Sequence, residues 1–180
     1  MGAALELLGE GGLEAVTMRA VAERARVTPP AIYWHFADKE ALVAEVVREA
    51  RASFEEGLVD ALAAPDAEER LWRSVEAFRR FAVEQPGLFR LLFTDRPPGR
   101  PPAAAAKGSR STIFQLLVDR IAECMTEGSL RAADPQAVAM TIAALAQGLV
   151  LLHHRGRFGS DAAFAKAYRA SFEHLLDGLR

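Results

Sequence analysis

Four side chains that carry recognition chemistry stand in a row at Tyr33, Trp34, His35 and Phe36, within the stretch TPPAIYWHFADKEAL that runs from Thr28 to Leu42. Consecutive residues on a helix are turned by about 100° from one another. The four rings therefore point in several directions, and some must face water. A phenol, an indole and an imidazole presented together are suited to phosphate oxygens, sugars and thymine methyl groups. Two other places hold reactive groups. His153 and His154 are adjacent, so a helix turns them apart and they cannot easily share one metal ion. Neither has a Cys, Asp or Glu four residues on, and a place at a helix C-terminus suits a histidine through the dipole alone. Cys124 is the one cysteine; on the apolar side of its helix it reads as a small buried hydrophobe. We expect no catalytic residue, no metal ligand and no cofactor.

The elements that must position the four rings are helical. Alanine and leucine dominate and β-branched runs are scarce, which favours helix. A short helix is expected over about Ala3 to Leu8, ended by Gly9, Gly11 and Gly12. Thr17 caps a second helix with Met18, Val21, Ala22 and Ala25 on one stripe. After a turn at Arg26 and Val27, Thr28 caps a third, with Pro29 at its first position. Asp38 caps a long fourth helix to about Leu62, with Leu42, Val46, Phe54, Leu58 and Leu62 at helical spacing. A fifth starts at Pro65-Asp66 with Leu71, Val75, Phe78 and Ala82 in register, and QPGLFRLLF opens a short sixth. The segment Thr94 to Ser109 holds four of the nine prolines and is expected to be a loop. A seventh helix covers about Ser111 to Glu127, an eighth about Asp134 to His154, and a ninth Asp161 to Leu179. The chain is thus all-α, with about nine helices.

The second and third helices, joined by a tight turn, read as a helix-turn-helix. Its third helix would lie in the major groove, small at the leading end (Pro29, Pro30, Ala31) and polar further on. Ile32 and Phe36 face inward. Tyr33 is placed to bond a phosphate through its hydroxyl, and Trp34 and His35 to meet sugar, phosphate or a thymine methyl; the bland alternative for Trp34 is packing against the first helix. Thr17, Thr28 and Lys39 sit at helix starts, where hydroxyls and N–H groups clasp phosphates.

At this point LELLGEGGLEAVTMRAVAERARVTPPAIYWHFADKEAL resembles the N-terminal domain of the TetR family of bacterial transcriptional regulators. The family pattern corresponds here to Gly12, Thr17, Val21-Ala22, Ala25, Val27-Thr28, Tyr33, Phe36, Lys39 and Leu42. The resemblance covers about the first 45 residues; beyond them FAVEQPGLFRLLF and AALAQGLVLLHHRGRF are similar to a common type of TetR regulatory domain. Two departures stand out. The family has glycine at the turn where this chain has Arg26, and a left-handed arginine costs about 1 kcal/mol. Either the turn takes another geometry or Arg26 reaches a phosphate. The family also carries a basic stretch ahead of the first helix. Here residues 1–48 hold five Lys/Arg against seven Asp/Glu, while residues 17–39 hold four against two. The positive footprint is local, which lowers DNA affinity and its salt dependence.

The resemblance implies a helix-turn-helix domain over residues 1–45 and a helical ligand-binding and dimerisation domain over 46–180. It implies a small effector bound between the helices of the second domain, lined by Trp72, Phe78, Phe89, Phe93, Phe114, Leu117, Ile121, Met140, Ala144 and Gln147. With few polar groups among them (Gln147, Thr141, Arg120), that lining suits an apolar or aromatic molecule. The last two helices are apolar on two faces, one for the interior and one for a partner. The resemblance implies a four-helix homodimer interface there, and we expect Leu145, Leu149, Leu152, Phe164, Tyr168, Phe172 and Leu175 in it. The implied function is a ligand-responsive, homodimeric repressor of a palindromic double-stranded DNA operator.

Bulk properties leave this reading open and narrow its rivals. A net charge of −2 announces neither nucleic acid nor membrane. The N-terminus has no basic region ahead of an apolar run, so we expect no signal peptide. The most apolar stretch, AVAMTIAALAQGLVLL, has 16 residues. It is short for a membrane span and reads as a buried helix. A cytoplasmic protein is expected. A helical-bundle enzyme would need a base, an orienter and an oxyanion site in one cleft, and no such set is spaced recognisably. A dimerising ligand-binding protein with weakened DNA affinity is the nearer alternative.

Overall fold

The computed structural model describes residues 1–94 and 112–180. Among them are nine α-helices and no strand: α1 Gly2–Ala15, α2 Met18–Arg24, α3 Pro29–His35, α4 Lys39–Leu62, α5 Ala67–Glu84, α6 Pro86–Phe89, α7 Thr112–Thr126, α8 Pro135–His154 and α9 Asp161–Asp177. A π-helical turn, Arg90–Thr94, follows α6 directly. The expected proline-rich loop lies, from residue 95 on, outside the described residues. The chain forms two compact units, residues 1–56 with 84–94 and residues 57–83 with 112–180.

In the first unit, cap chemistry sets the helix starts. Thr17 Oγ1 accepts the Ala20 N–H at 3.1 Å, and Asp38 Oδ1 accepts the Ala41 N–H at 2.8 Å. Each satisfies a donor that the helix itself cannot. Leu8, Val16, Val21, Ala22, Ile32, Leu42 and Val46 are buried together as the core of this unit. α1 is longer than expected: it continues through Gly9 and Gly11 and breaks only at Gly12, whose φ is 67°. Two helical glycines cost about 1 kcal/mol each, and burial of Ala4, Leu7 and Leu8 on the same helix overrides that cost. α6 packs on α1 at a glycine contact: a Cβ on Gly87 would stand 3.0 Å from Gly9 Cα and 3.1 Å from the Leu8 carbonyl oxygen.

In the second unit the start of α5 is capped by Asp66, whose Oδ1 accepts the Glu69 N–H at 2.8 Å. α8 starts on Asp134, accepting the Gln136 N–H at 2.9 Å, and α9 on Ser160, accepting the Ala163 N–H at 3.2 Å. A column of rings on α9 fills the interior: Phe164 meets Tyr168 edge-on at 5.6 Å, and Tyr168 meets Phe172 at 4.8 Å. The buried Tyr168 hydroxyl donates to the Val75 carbonyl at 2.9 Å, tying α9 to α5. Leu62 was expected inside; it is exposed, and Ala61 takes the buried position.

α8 has two unlike sides. Val138, Ala139, Ile142, Ala146 and Val150 are buried, while Met140, Leu151 and Leu152 are 59%, 48% and 43% exposed. By length and composition this helix could cross a membrane, and only 28% of its apolar window is buried within the protein. The expectation of a buried helix therefore holds for one face only.

Candidate nucleic-acid interface

α3 presents the ring cluster outward. Ile32 is buried and anchors the helix, whereas Tyr33 is 57% and Trp34 89% exposed. Trp34 does not pack on α1, so the bland alternative for it is excluded. His35 is exposed and closes the helix; Phe36 lies just beyond it, half-buried, with extended backbone. An indole this open is rare, because tryptophan is among the residues with most to gain from burial.

The start of α3 offers fewer donors than its sequence suggests. Pro29 and Pro30 have no N–H, and the Ala31 N–H goes to the Thr28 carbonyl at 2.9 Å. Thr28 makes no side-chain cap bond, so its exposed hydroxyl is the polar group available there. At the start of α2, Thr17 is half-buried and its oxygen already accepts from Ala20, leaving its O–H to donate outward. At the start of α4, the Asp38 carboxylate occupies the cap. Lys39, the first residue of the helix, stands half-buried beside it.

The turn between α2 and α3 keeps the left-handed geometry although its residue is arginine. Arg26 has φ 56°. The Val27 N–H reaches back to the Ala22 carbonyl at 3.0 Å and the Arg26 N–H to the Glu23 carbonyl at 3.1 Å. That pair of bonds is a Schellman closure, in which glycine normally fills the left-handed position. The Arg26 side chain is exposed and, among the described residues, joins no hydrogen bond or ion pair. Arg24 behaves differently: its guanidinium meets Glu6 at 3.2 Å and Glu10 at 2.7 Å. The Arg24 partnership holds the Glu10 carboxyl below its ordinary range and raises the guanidinium in return. Arg24 thus fastens α2 to α1, which leaves Arg19, Arg26 and Lys39 as the outward cations of this face.

The side chains expected around an effector belong to both units. Phe89 and Phe93 belong to the first unit, where their rings lie 5.1 Å apart with planes tilted by 36° and Phe93 meets Phe54 edge-on at 5.5 Å. In the second unit Phe78, Phe114 and Leu117 are half-buried, and Ile121 is wholly buried core. Trp72 borders a cleft of about 280 Å³ whose rim includes Asp60, Glu69, Arg73, Glu76 and Arg80. The Arg169 guanidinium lies 5.3 Å from its ring. Met140, Ala144 and Gln147 are corrected: they stand on the open face of α8, not in an interior lining. α8 is apolar almost all round, so hydrophobicity alone cannot select its inner side.

The dimer set needs a matching correction. Phe164, Tyr168 and Phe172 are 0%, 1% and 0% exposed within one protomer. They have no surface left for a partner and are core. Leu145, Leu149 and Leu175 are half-buried, and Leu152 is on the open face. Ala137, Gly148 and Leu151, which sequence reasoning did not single out for this face, are exposed beside Met140 and Ala144. Their three- and four-residue spacing with Met140 and Ala144 was visible, but not which way it faced.

His153 stacks on Phe164 at 4.2 Å, with ring planes 6° apart, and its Nε2 lies 3.1 Å from Asp161. His154 Nε2 lies 3.3 Å from the Ala82 carbonyl. The two imidazoles join α8 to different helices. Cys124 is buried, and burial pushes its thiol up, away from the reactive thiolate. Among the described residues no three His, Cys, Asp or Glu side chains are grouped to hold a metal ion.

Residues 1–46 match the family model for bacterial regulatory proteins of the tetR family. Residues 71–179 match the tetracyclin repressor-like C-terminal domain. The tetracycline repressor protein class A from transposon 1721 of Escherichia coli is 30% identical over 161 residues, spanning 89% of this chain and 67% of that protein. The class G tetracycline repressor of Vibrio anguillarum is 54% identical over 41 residues, 23% of this chain and 20% of that one. The TetR family transcriptional regulator PfmR of Thermus thermophilus shares the fold. Its TM-score is 0.74 over 99% of this chain and 94% of that one, at 22% identity. With a helix-turn-helix that presents its third helix to solvent and family matches over both halves, this chain belongs to the tetR family of bacterial transcriptional regulators.

Proposed function

We propose that the protein is a cytoplasmic, homodimeric repressor that binds a roughly palindromic operator and releases it when a small apolar effector binds. The observation that carries this reading is the outward ring cluster on α3, above all Trp34 at 89% exposure. In the proposed complex Pro29, Pro30 and Ala31 lie closest to the base edges, and Trp34 and His35 meet sugar, phosphate or a thymine methyl. Tyr33, Thr17, Thr28, Lys39 and Arg26 hold phosphates, which fix register while the base edges specify sequence.

The open face of α8 supports the dimer. Ala137, Met140, Ala144, Gly148 and Leu151 recur at helical spacing along it. A two-fold axis brings this patch against itself and sets two α3 helices at half-sites roughly 34–36 Å apart. Regulation is a population shift: the effector binds more tightly to a conformer in which the α3 spacing no longer fits the groove, and only that difference in affinity moves the equilibrium. Phe78, Phe114 and Leu117 are the half-buried apolar side chains we assign to the effector.

Selection of bound sequences from a random duplex pool tests the reading. An enriched inverted repeat is expected. Recovery of unrelated sequences, with binding that vanishes in moderate salt, would instead identify a helical protein of weakened DNA affinity.

A further inference from the structure

Two arginines meet at Glu123, Arg70 from α5 and Arg120 from α7; both are largely buried, with side chains 16% and 18% exposed, and they are partnered very differently. Arg70 uses every nitrogen. Its Nε donates to Glu123 at 3.3 Å and its Nη2 to Glu127 at 3.1 Å, while its Nη1 donates to the Ala64 and Pro65 carbonyls at 3.0 and 3.1 Å. Arg120 has, among the described residues, only Nη2 engaged, 2.6 Å from Glu123 Oε1, and the other oxygen of that carboxylate accepts from Arg70. The Arg120 Nε is buried and has no acceptor; among the described residues it is the one buried side-chain polar atom so placed. Glu127 is turned to α5 instead, its two oxygens accepting from Arg70 Nη2 at 3.1 Å and the Ala67 N–H at 3.1 Å.

A buried N–H without an acceptor is costly, and native proteins keep such groups where something else supplies the acceptor. The surroundings indicate what that is. Leu116 and Leu117, one turn before Arg120 on α7, and Ile113, two turns before it, share its side of the helix and are half-buried rather than packed away. An unfinished apolar surface beside an under-partnered guanidinium matches a molecule with an apolar body and one anionic oxygen group. Guanidinium forks bind carboxylates through paired N–H donors, and such charge-assisted bonds are the strong ones.

We infer that Arg120 is the anion-recognition residue of the effector site, and that the effector is an apolar carboxylic acid or a close acidic analogue. This rests on the effector reading above and narrows it. Arg70 holds α5 to α7 in either state; Arg120 completes its hydrogen bonding only when the acid is bound.

The test uses two matched pairs of probes on the full chain, octanoate with 1-octanol and 2-naphthoate with 2-naphthol, followed by isothermal titration calorimetry. In at least one pair the acid should bind tenfold or more tightly than its neutral mate, and Arg120→Gln should erase that preference. Arg120→Lys keeps the charge without the fork and should restore only part of it. Equal binding of acid and neutral probe, or binding of neither pair, overturns the assignment; water then fills the Nε site. The comparison on the unaltered protein is decisive even if Arg120→Gln folds poorly. Release of operator DNA is followed in parallel. If a neutral compound releases DNA and no acid does, Arg120 is wrongly assigned and the effector reading stands. If acids bind through Arg120 without releasing DNA, the site stands and the effector reading falls.

Discussion

Replacing Arg26 by glycine should stabilise the fold and weaken DNA binding at once. Arg26 closes α2 with φ 56°, through bonds that reach back to Ala22 and Glu23. An L-residue held left-handed costs about 1–2 kcal/mol. Glycine removes that cost but gives the unfolded chain more freedom, so the net gain is about 0.5–1 kcal/mol. For a chain of this size the midpoint of thermal unfolding then rises by about 1–4 °C. Arg26→Ala is the control: its Cβ keeps the left-handed cost, and stability should stay within about 0.5 kcal/mol. Both variants lack the guanidinium proposed to meet a phosphate. Both should therefore bind operator more weakly, with a salt slope shallower by about 0.9 for each phosphate no longer neutralised. Urea unfolding and fluorescence anisotropy at several salt concentrations measure the two effects. Destabilisation by glycine would refute the strain argument. A glycine variant that binds DNA as tightly as the parent would refute the phosphate role.

Three other perturbations probe the packing. Gly87→Ala forces a Cβ to within 3.0 Å of Gly9 Cα; overpacking against backbone should cost about 1–3 kcal/mol in urea unfolding, and a neutral result would contradict the α1–α6 contact. Tyr168→Phe deletes the bond to the Val75 carbonyl and should cost about 1 kcal/mol near neutral pH. Burial raises both the Tyr168 phenol and the Cys124 thiol. Each raised group contributes stability below its unfolded value that is lost as pH climbs, from about 8.5 for the thiol and about 10 for the phenol. Unfolding measured between pH 7 and 11 should therefore lose stability in both steps in the parent, but only in the first in Tyr168→Phe. Ala144→Glu places a charge in the middle of the open α8 face and should weaken self-association by about 2 kcal/mol or more; sedimentation that still shows a dimer at low concentration would rule that face out as the interface.

Local chemistry was the most legible part of the sequence. Thr17, Asp38 and Asp134 announce helix starts because a short oxygen-bearing side chain before an apolar stripe has one good use, and each makes its cap bond. The helix-turn-helix was readable for the same reason, with its distinctive residues packed into about 25 positions. Questions decided by tertiary packing were not readable. Gly9 and Gly11 look like a stop, yet α1 passes through them because its neighbours are buried. α8 is apolar on both sides, so Met140, Ala144 and Gln147 were assigned inward and stand outward. The α9 stripe of Phe164, Tyr168 and Phe172 was correctly periodic but assigned to a partner; periodicity identifies a stripe without saying what covers it. Trp34 was ambiguous in sequence, since only the absence of neighbours distinguishes an exposed indole from a packed one. The contrast between Arg70 and Arg120 is not written in the sequence, because it lies in which nitrogens find oxygens.

The central claim is that the exposed rings of α3 read DNA. The most direct test is binding of the purified protein to its own upstream DNA and to unrelated DNA, at two salt concentrations, for the parent, Tyr33→Ala and Trp34→Ala. Both side chains are largely exposed, so both variants should unfold at the same temperature as the parent. The account predicts tight binding that favours the upstream site, lost in both variants. Equal weak binding of all three proteins to every DNA would contradict it.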